Sequence, residues 1–334
     1  MMAKKKVDAV FEGGGVKGIG LVGPVAAIEE AGYVFENLAG TSAGAIVAGL
    51  LAVGYGAQRL KEIVGTIDYR KFQDKDTLDR LGIPGMLASI VTEYGIYEGK
   101  YFEEWFADLL KETGKTKFGD ILTDDPREEY KYKLQVIASD ISDRKLLVLP
   151  RGLKTFGLDP DEFPIARAVR MSMSIPVFFE PVKLEDVNGR AHYIVDGGIL
   201  SNYPVWLLDD RENCTWPTFG FKLVEPAEQK LKEGAPIPIR NPVDFLSAML
   251  GTMMGAHDNY HISVSKGDYA RTIGISTVVK TAVGDKEIKT TYFDITPEET
   301  EKLYQNGCQA ARDFLTQWSF EDWKRKFRPA QATS

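Results

Sequence analysis

Two short apolar runs near the start of the chain each end in a glycine-rich turn and lead into a stretch of helical character. Residues 7–12 read as a strand that runs straight into Gly13-Gly14-Gly15-Val16-Lys17-Gly18. Residues 20–31, rich in Ala, Ile and Glu, predict the helix that follows. Tyr33-Val34-Phe35 and Leu38-Ala39 then read as a short buried strand before Gly40-Thr41-Ser42-Ala43-Gly44. The small apolar residues 43–53 predict a second helix, stopped by Gly54. Two strand–helix units in succession predict an α/β fold with a parallel sheet and helices on its faces. Ligands of such sheets gather at the carboxyl ends of the strands. Both glycine turns are expected there, side by side.

Downstream the pattern is less regular. Residues 55–127 are mostly helical in pattern, and within 96–110 Tyr97, Tyr101, Phe102, Trp105, Phe106 and Leu109 recur at helical spacing. That stripe is either a helix face against the core or one wall of an acyl-binding cleft. Residues 133–139 and 145–149 look like neighbouring strands joined by a turn at 140–144. A helix is expected at 164–173, a loop at 174–181, and a strand at 191–195 that ends at Asp196-Gly197-Gly198. Another strand is expected at 218–224, and the polar, proline-bearing 225–242 reads as a linker. Beyond it come an amphipathic helix at 243–260, strands near 271–277 and 290–294, and a closing helix. That helix opens with Thr296-Pro297-Glu298-Glu299, a capping box with proline in its first turn. The division expected is a catalytic domain at 6–224 and a C-terminal extension, 225–330, packed on the same α/β domain.

Composition narrows the function classes. The 334 residues suffice for a large core, and 44% apolar with 27% charged residues is ordinary for a globular chain. A net charge of −7 argues against nucleic acid and against simple Coulomb attraction to anionic lipid. Cys214 and Cys308 make no disulfide framework, which favours a reducing compartment. No apolar stretch reaches the length of a membrane span, and none after Lys4-Lys5-Lys6 forms a secretory h-region. A cytoplasmic location is expected, with secretion that needs no signal peptide left open. The three lysines read as a solvated N-terminus.

The chemistry centres on Ser42. In G-x-S-x-G between a strand and a helix, the serine sits on a sharp turn that exposes its hydroxyl. The helix N-terminus then aims open N–H groups at the space beside it. The plain alternative is a tight turn with an incidental serine. Residues 13–18 also fit G-x-G-x-x-G with Glu36 downstream, a dinucleotide-binding fingerprint. That oxidoreductase reading leaves G-T-S-A-G and D-G-G unexplained. The same glycines can instead form an oxyanion hole, since successive amides of a glycine turn converge on one point. For a base, the order Ser42, Asp196, then His257 or His261 would suit a hydrolase triad. Too few strands precede Ser42 for that fold, however, and both histidines fall on a helix beyond the linker. Their i, i+4 spacing lacks the glutamate of a zinc motif. Asp196 itself remains, a carboxylate at a strand end that Tyr193, Val195 and Ile199 could desolvate.

Three motifs in order, E-G-G-G-V-K-G at 12–18, G-T-S-A-G at 40–44 and D-G-G at 196–198, resemble the patatin-like phospholipase family. The likeness extends to residues 168–176, similar to the family's R-A-S-x-x-x-P segment, and through 196–204. It implies a three-layer α/β/α fold with a mainly parallel central sheet and a Ser–Asp dyad without histidine. Carried over, Ser42 is the nucleophile, Asp196 its base, Gly14 and Gly15 the oxyanion hole, and Gly13, Lys17 and Gly18 the support of that loop. Glu12 stands where Asp is commoner, and Met173 falls where smaller residues are usual. The implied activity is hydrolysis of lipid carboxylic esters, phospholipase A or lysophospholipase in type, with no metal and no cofactor. Its implied partners are a lipid or phospholipid substrate and, transiently, a membrane or micelle surface. A catalytically idle lipid-binding or scaffold protein is the other reading, because motifs can outlast activity.

Overall fold

The computed structural model describes residues 4–68, 71, 94–209, 215–224, 239, 245, 248–249, 252, 267–282, 284–290 and 292–328. The expected linker at 225–242 and helix at 243–260 lie almost wholly outside the described residues, as do His257, His261 and Cys214. The chain runs β1 (Lys5–Phe11), α1 (Ile19–Glu30), β2 (Tyr33–Thr41), α2 (Ala43–Ala52) and α3 (Ala57–Gly65). It continues with β3 (Gly95–Tyr97), α4 (Lys100–Thr113), β4 (Leu134–Asp140), β5 (Lys145–Leu149) and α5 (Ile165–Ser172). Then come β6 (Val177–Phe179), β7 (Val182–Glu185), β8 (Ala191–Asp196) and β9 (Thr218–Val224). The last elements are β10 (Thr272–Ser276), β11 (Val278–Thr281), β12 (Gly284–Glu287), α6 (Pro297–Gln317) and α7 (Phe320–Phe327).

The central sheet has the order β10-β9-β1-β2-β4-β8-β7, with β5 also on β4. Its pairs from β10 to β4 are parallel, as the strand–helix alternation requires, and β8, β7 and β5 add antiparallel edges. Alternate residues of β1 feed two cores: Val7, Ala9 and Phe11 face the larger one, Val10 the smaller one built with Tyr203, Val205 and Leu208. Helices α1 and α6 approach closely. A Cβ on Gly23 would stand 2.1 Å from Tyr304 O, and one on Gly307 2.2 Å from Gly20 O. The capping box of α6 is present, with Glu299 N–H on Thr296 Oγ1 at 3.2 Å and Thr296 N–H on Glu299 Oε2 at 2.9 Å.

Several expectations need correction. Lys4, Lys5 and Lys6 are exposed, as expected, but Lys5 and Lys6 belong to β1, Lys5 over the Tyr33 ring and Lys6 paired with Glu36 at 3.3 Å. The helix expected from residue 96 begins only at Lys100, because Gly99 takes a left-handed φ of 67° and Tyr97 pairs with Phe179 in a short β3–β6 ladder. β6 therefore lies inside the expected 174–181 loop. Residues 290 and 292–294 are no strand: Tyr292 N–H closes a turn onto Lys289 O at 3.1 Å, and the pairing nearby is the β11–β12 hairpin. In the aromatic stripe, Phe102 and Phe106 are fully buried in the core, while Tyr101, Trp105 and Leu109 border a cleft with Arg59 and Glu62.

Candidate active site

β2 ends at Thr41, and the chain turns at Ser42 with φ 52° and ψ −123° before α2 begins. A positive φ is costly for a residue that carries a Cβ. The crowding around the turn explains its flanking glycines: a Cβ on Gly40 would lie 2.4 Å from Gly44 O, and one on Gly44 2.3 Å from Phe11 O. Ser42 N–H donates to Ser172 Oγ at 2.9 Å, and Ser172 Oγ donates to Ile137 O at 2.6 Å. This serine bridge ties the elbow to β4. No side chain caps α2; Ala45 N–H donates to Ser42 O at 2.9 Å, and the Ala43 and Gly44 amides stay open at the turn.

Asp196 arrives from the opposite direction. One edge of β4 is occupied by β5; on the other, β2 pairs with residues 134–137 and antiparallel β8 takes over at Ala138. The ends of β2 and β8 thus meet head to head, which sets Ser42 beside Asp196. Asp196 is fully buried. Its N–H donates to Ser174 O at 2.9 Å, its Oδ1 accepts Gly198 N–H at 2.7 Å, and its Oδ2 has no partner. Burial pushes its pKa up to about 7, while the Ser42 hydroxyl and the Gly198 amide pull the other way. The hydroxyl is close enough to act on the carboxylate, yet no bond of ordinary length and angle joins them. Contacts of this kind often tighten only when substrate binds. The pleat turns Tyr193 and Val195 to the face of β8 opposite the Asp196 side chain.

The glycine turn lies against the same junction. Glu12 anchors it: its carboxylate takes the Lys222 ammonium and, at 2.6 Å, Leu223 N–H. A Cβ on Gly13 would stand 3.2 Å from Ser42 Cβ, and Gly13 N–H donates to Asn202 O at 3.0 Å. Gly15 has φ +56°, and a Cβ there would lie 2.2 Å from Thr290 O. Lys17 N–H closes the turn onto Gly14 O at 3.2 Å, and a Cβ on Gly18 would lie 3.1 Å from Ala43 Cβ. Among the described residues, the Gly14 and Gly15 amides donate to no protein acceptor. The predicted residues are therefore brought together.

Some positioning residues had no role in the sequence reading. Ser172 holds the elbow, and Ser174 holds the Asp196 amide. Arg170, itself buried, donates to Ser174 Oγ, Glu98 O and Glu180 O. Asn202 donates from Nδ2 to Gly13 O at 3.2 Å. Three of them, Ser172, Ser174 and Asn202, fall in the segments M-S-M-S and D-G-G-I-L-S-N, which stand out in the sequence without marking what each residue does. Met173 is buried at the end of α5 and disturbs nothing there. Glu36 pairs with Lys6 at the end of β1 remote from the glycine turn, which removes the acidic residue a dinucleotide site would use. His192 is bonded to Asp140 rather than to Ser42.

Residues 9–209 match the patatin-like phospholipase family. The chain belongs to that family and is a hydrolase of lipid esters. Over 315 residues it is 38% identical to YqhO of Bacillus subtilis (strain 168), covering 94% of this chain and 99% of that one. R571 of Acanthamoeba polyphaga mimivirus is 25% identical over 313 residues, 91% of this chain and 92% of its own length. The crystal structure of VipD from Legionella pneumophila superposes with a TM-score of 0.53 at 20% identity, over 94% of this chain and 67% of that one. That likeness bears on the fold, a mainly parallel sheet flanked by helices. Among the described residues no helix is long and apolar enough to cross a membrane.

Proposed function

We propose that the chain is a phospholipase A or lysophospholipase that works through a Ser42–Asp196 dyad. Ser42 Oγ attacks the ester carbonyl carbon while its proton passes to Asp196 Oδ2. The tetrahedral oxyanion is taken by the Gly14 and Gly15 amides, a donor pair of which each member is typically worth ~3 kcal/mol in the transition state. The carbon–oxygen bond to the alcohol then breaks, and Asp196 returns the proton to the leaving oxygen. Water attacks the acyl-enzyme, again losing its proton to Asp196, and the fatty acid leaves as Ser42 is restored. Gly13, Lys17 and Gly18 keep the loop in place, and the scheme uses no metal or cofactor. The acyl chain lies in the cleft of about 600 Å³ lined by Val16, Ile19, Val64, Ile67, Phe293 and Ile295, which borders the glycine turn at Val16. Residues 225–330 belong, in this reading, to the same folding unit as the catalytic part, since β10 extends its sheet.

The observation that carries the reading is the buried, unpartnered Asp196 Oδ2 beside a strained serine. Purified protein should release fatty acid from phosphatidylcholine micelles, and a fluorophosphonate should add to the peptide that carries Ser42. Ser42→Ala should do neither. A folded chain that binds the micelles, hydrolyses nothing and takes no label would return the idle lipid-binding reading.

A further inference from the structure

His192 plays no part in the proposed chemistry, yet it is 4% exposed and one of its ring nitrogens is unclaimed. Its Nδ1 lies 2.7 Å from Asp140 Oδ2. In a neutral imidazole, a carboxylate in that place accepts the Nδ1 proton and leaves Nε2 with a free lone pair. Nε2 is buried without a partner, and Asp186 Oδ2 stands 3.7 Å from it. That gap is too wide for a hydrogen bond. It lies just above the spacing of two ligands of one ion, because donors ~2.0–2.2 Å from a tetrahedral zinc-class cation stand roughly 3.3–3.6 Å apart, and a small turn of either side chain closes the difference.

The surroundings hold both carboxylates in place. Asp140 Oδ1 accepts Ser142 N–H at 2.9 Å and Asp143 N–H at 3.2 Å. Asp186 Oδ1 accepts Asn188 N–H at 2.8 Å and Arg190 N–H at 2.9 Å, which leaves Oδ2 for the ring side. Among the described residues, neither carboxylate meets a lysine or arginine side chain at ion-pair distance. Asp143, whose oxygens also come within 4.8 Å of the Asp140 and His192 donor atoms, is instead taken by Arg190 at 2.6 Å and Lys145 at 3.5 Å. The Phe156 ring closes edge-on against the imidazole at 5.2 Å. A cleft of about 460 Å³ borders the group and supplies an entry path and room for water ligands.

We propose that His192 Nε2 and Asp186 Oδ2 bind a divalent cation of the zinc class, with Asp140 orienting the imidazole and water completing the shell. The ion would clasp the β7–β8 hairpin, four residues ahead of Asp196 on the same strand. This site is separate from the dyad and does not rest on it.

The test uses the full chain, stripped of metal by a chelator and dialysed. Zn²⁺ is titrated by calorimetry, Co²⁺ by visible absorption, and melting is scanned with and without Zn²⁺. One Zn²⁺ should bind per chain, Co²⁺ should show ligand-field bands of mixed nitrogen and oxygen coordination, and Zn²⁺ should raise Tm by a few degrees. Asp186→Asn keeps an oxygen for the two loop amides and offers Nε2 a donor, so it should fold. It should lower Zn²⁺ affinity at least about tenfold and abolish the Tm shift. His192→Gln should remove the cobalt bands. Wild-type protein that binds no Zn²⁺ because an imidazolium sits between the two carboxylates would overturn the site. Zn²⁺ binding that survives undiminished in Asp186→Asn would do the same, whether or not His192→Gln folds.

Discussion

Asp8 and Asp196 are both buried carboxyl groups whose pKa burial has pushed up to about 7, but their surroundings differ. Asp8 lies within β1, where three donors converge on Oδ1: Asn37 N–H and Asn37 Nδ2 at 3.0 Å each, and Trp216 Nε1 at 2.8 Å. Those bonds hold the extra residue of β2 at the register shift between Val7 and Ala9. Asp196 stands at a strand end next to Ser42, accepts one backbone amide on Oδ1 and leaves Oδ2 bare. Burial raises proton affinity in both places. A carboxylate gripped by three donors then becomes a structural pin, and one held by a single amide, with a buried oxygen left bare, keeps a lone pair for a proton in transit.

The comparison breaks most sharply on activity. Asp196→Asn and Ser42→Ala should each lower kcat for ester hydrolysis by ~10,000-fold or more, with the double variant little worse, since the two act as a unit. Asp8→Asn, and His192→Gln likewise, should stay within about tenfold, below the loss of a general base. A folded Asp8→Asn as inactive as Asp196→Asn would end the distinction. Next in size is Gly15→Ala, where a Cβ would meet Thr290 O at 2.2 Å and push the loop off its amide geometry. Loss of one oxyanion donor predicts ~100- to 1,000-fold in kcat, checked by steady-state kinetics on a short-chain ester alongside circular dichroism.

Stability against pH sharpens the comparison further. A carboxyl whose pKa rises from 3.8 to about 7 on folding binds its proton more tightly in the native state. Its stabilising contribution is whole below the unfolded pKa and is lost as pH climbs through the folded one. Wild-type Tm should therefore fall between those two values. Asp196→Asn should melt higher than wild type at pH ~8 and level with it at pH ~4, an inactive protein more stable than its parent. Equal melting at both values would mean that Asp196 is not strained by burial. The smallest effect concerns the serine bridge. Ser172→Ala strands the Ser42 N–H, which should cost about 1–3 kcal/mol by denaturant unfolding.

Much of this was legible in the sequence because it is local. Gly13 to Gly18, Gly40 to Gly44 and Asp196 to Gly198 each mark a strand end by residues that only a crowded turn requires, and three such marks in order point to one edge. The break in the apolar run at Glu36-Asn37 proved to be the bulge that Asp8 pins. Ser172 and Asn202 were not legible in their roles, because the first acts 130 residues from its partner and the second 189. Nothing in their immediate neighbours marks a serine that accepts from another serine's amide. The short strands β3, β6 and β7 have too few residues for a period-2 pattern to stand out. Likewise, the aromatic rhythm from Tyr97 onward conceals Gly99, whose left-handed φ divides strand from helix.

The central claim is that Asp196 takes the proton of Ser42. It is tested most directly by the rate at which a fluorophosphonate labels Ser42, followed by intact mass from pH ~5 to ~9 in wild type and in Asp196→Asn. The account predicts a wild-type rate that rises through a midpoint near pH 7 and then levels, as burial of the carboxyl requires. It predicts labelling at least about a hundredfold slower in Asp196→Asn at pH ~8, with no such rise. Equal labelling rates in the two proteins would contradict it.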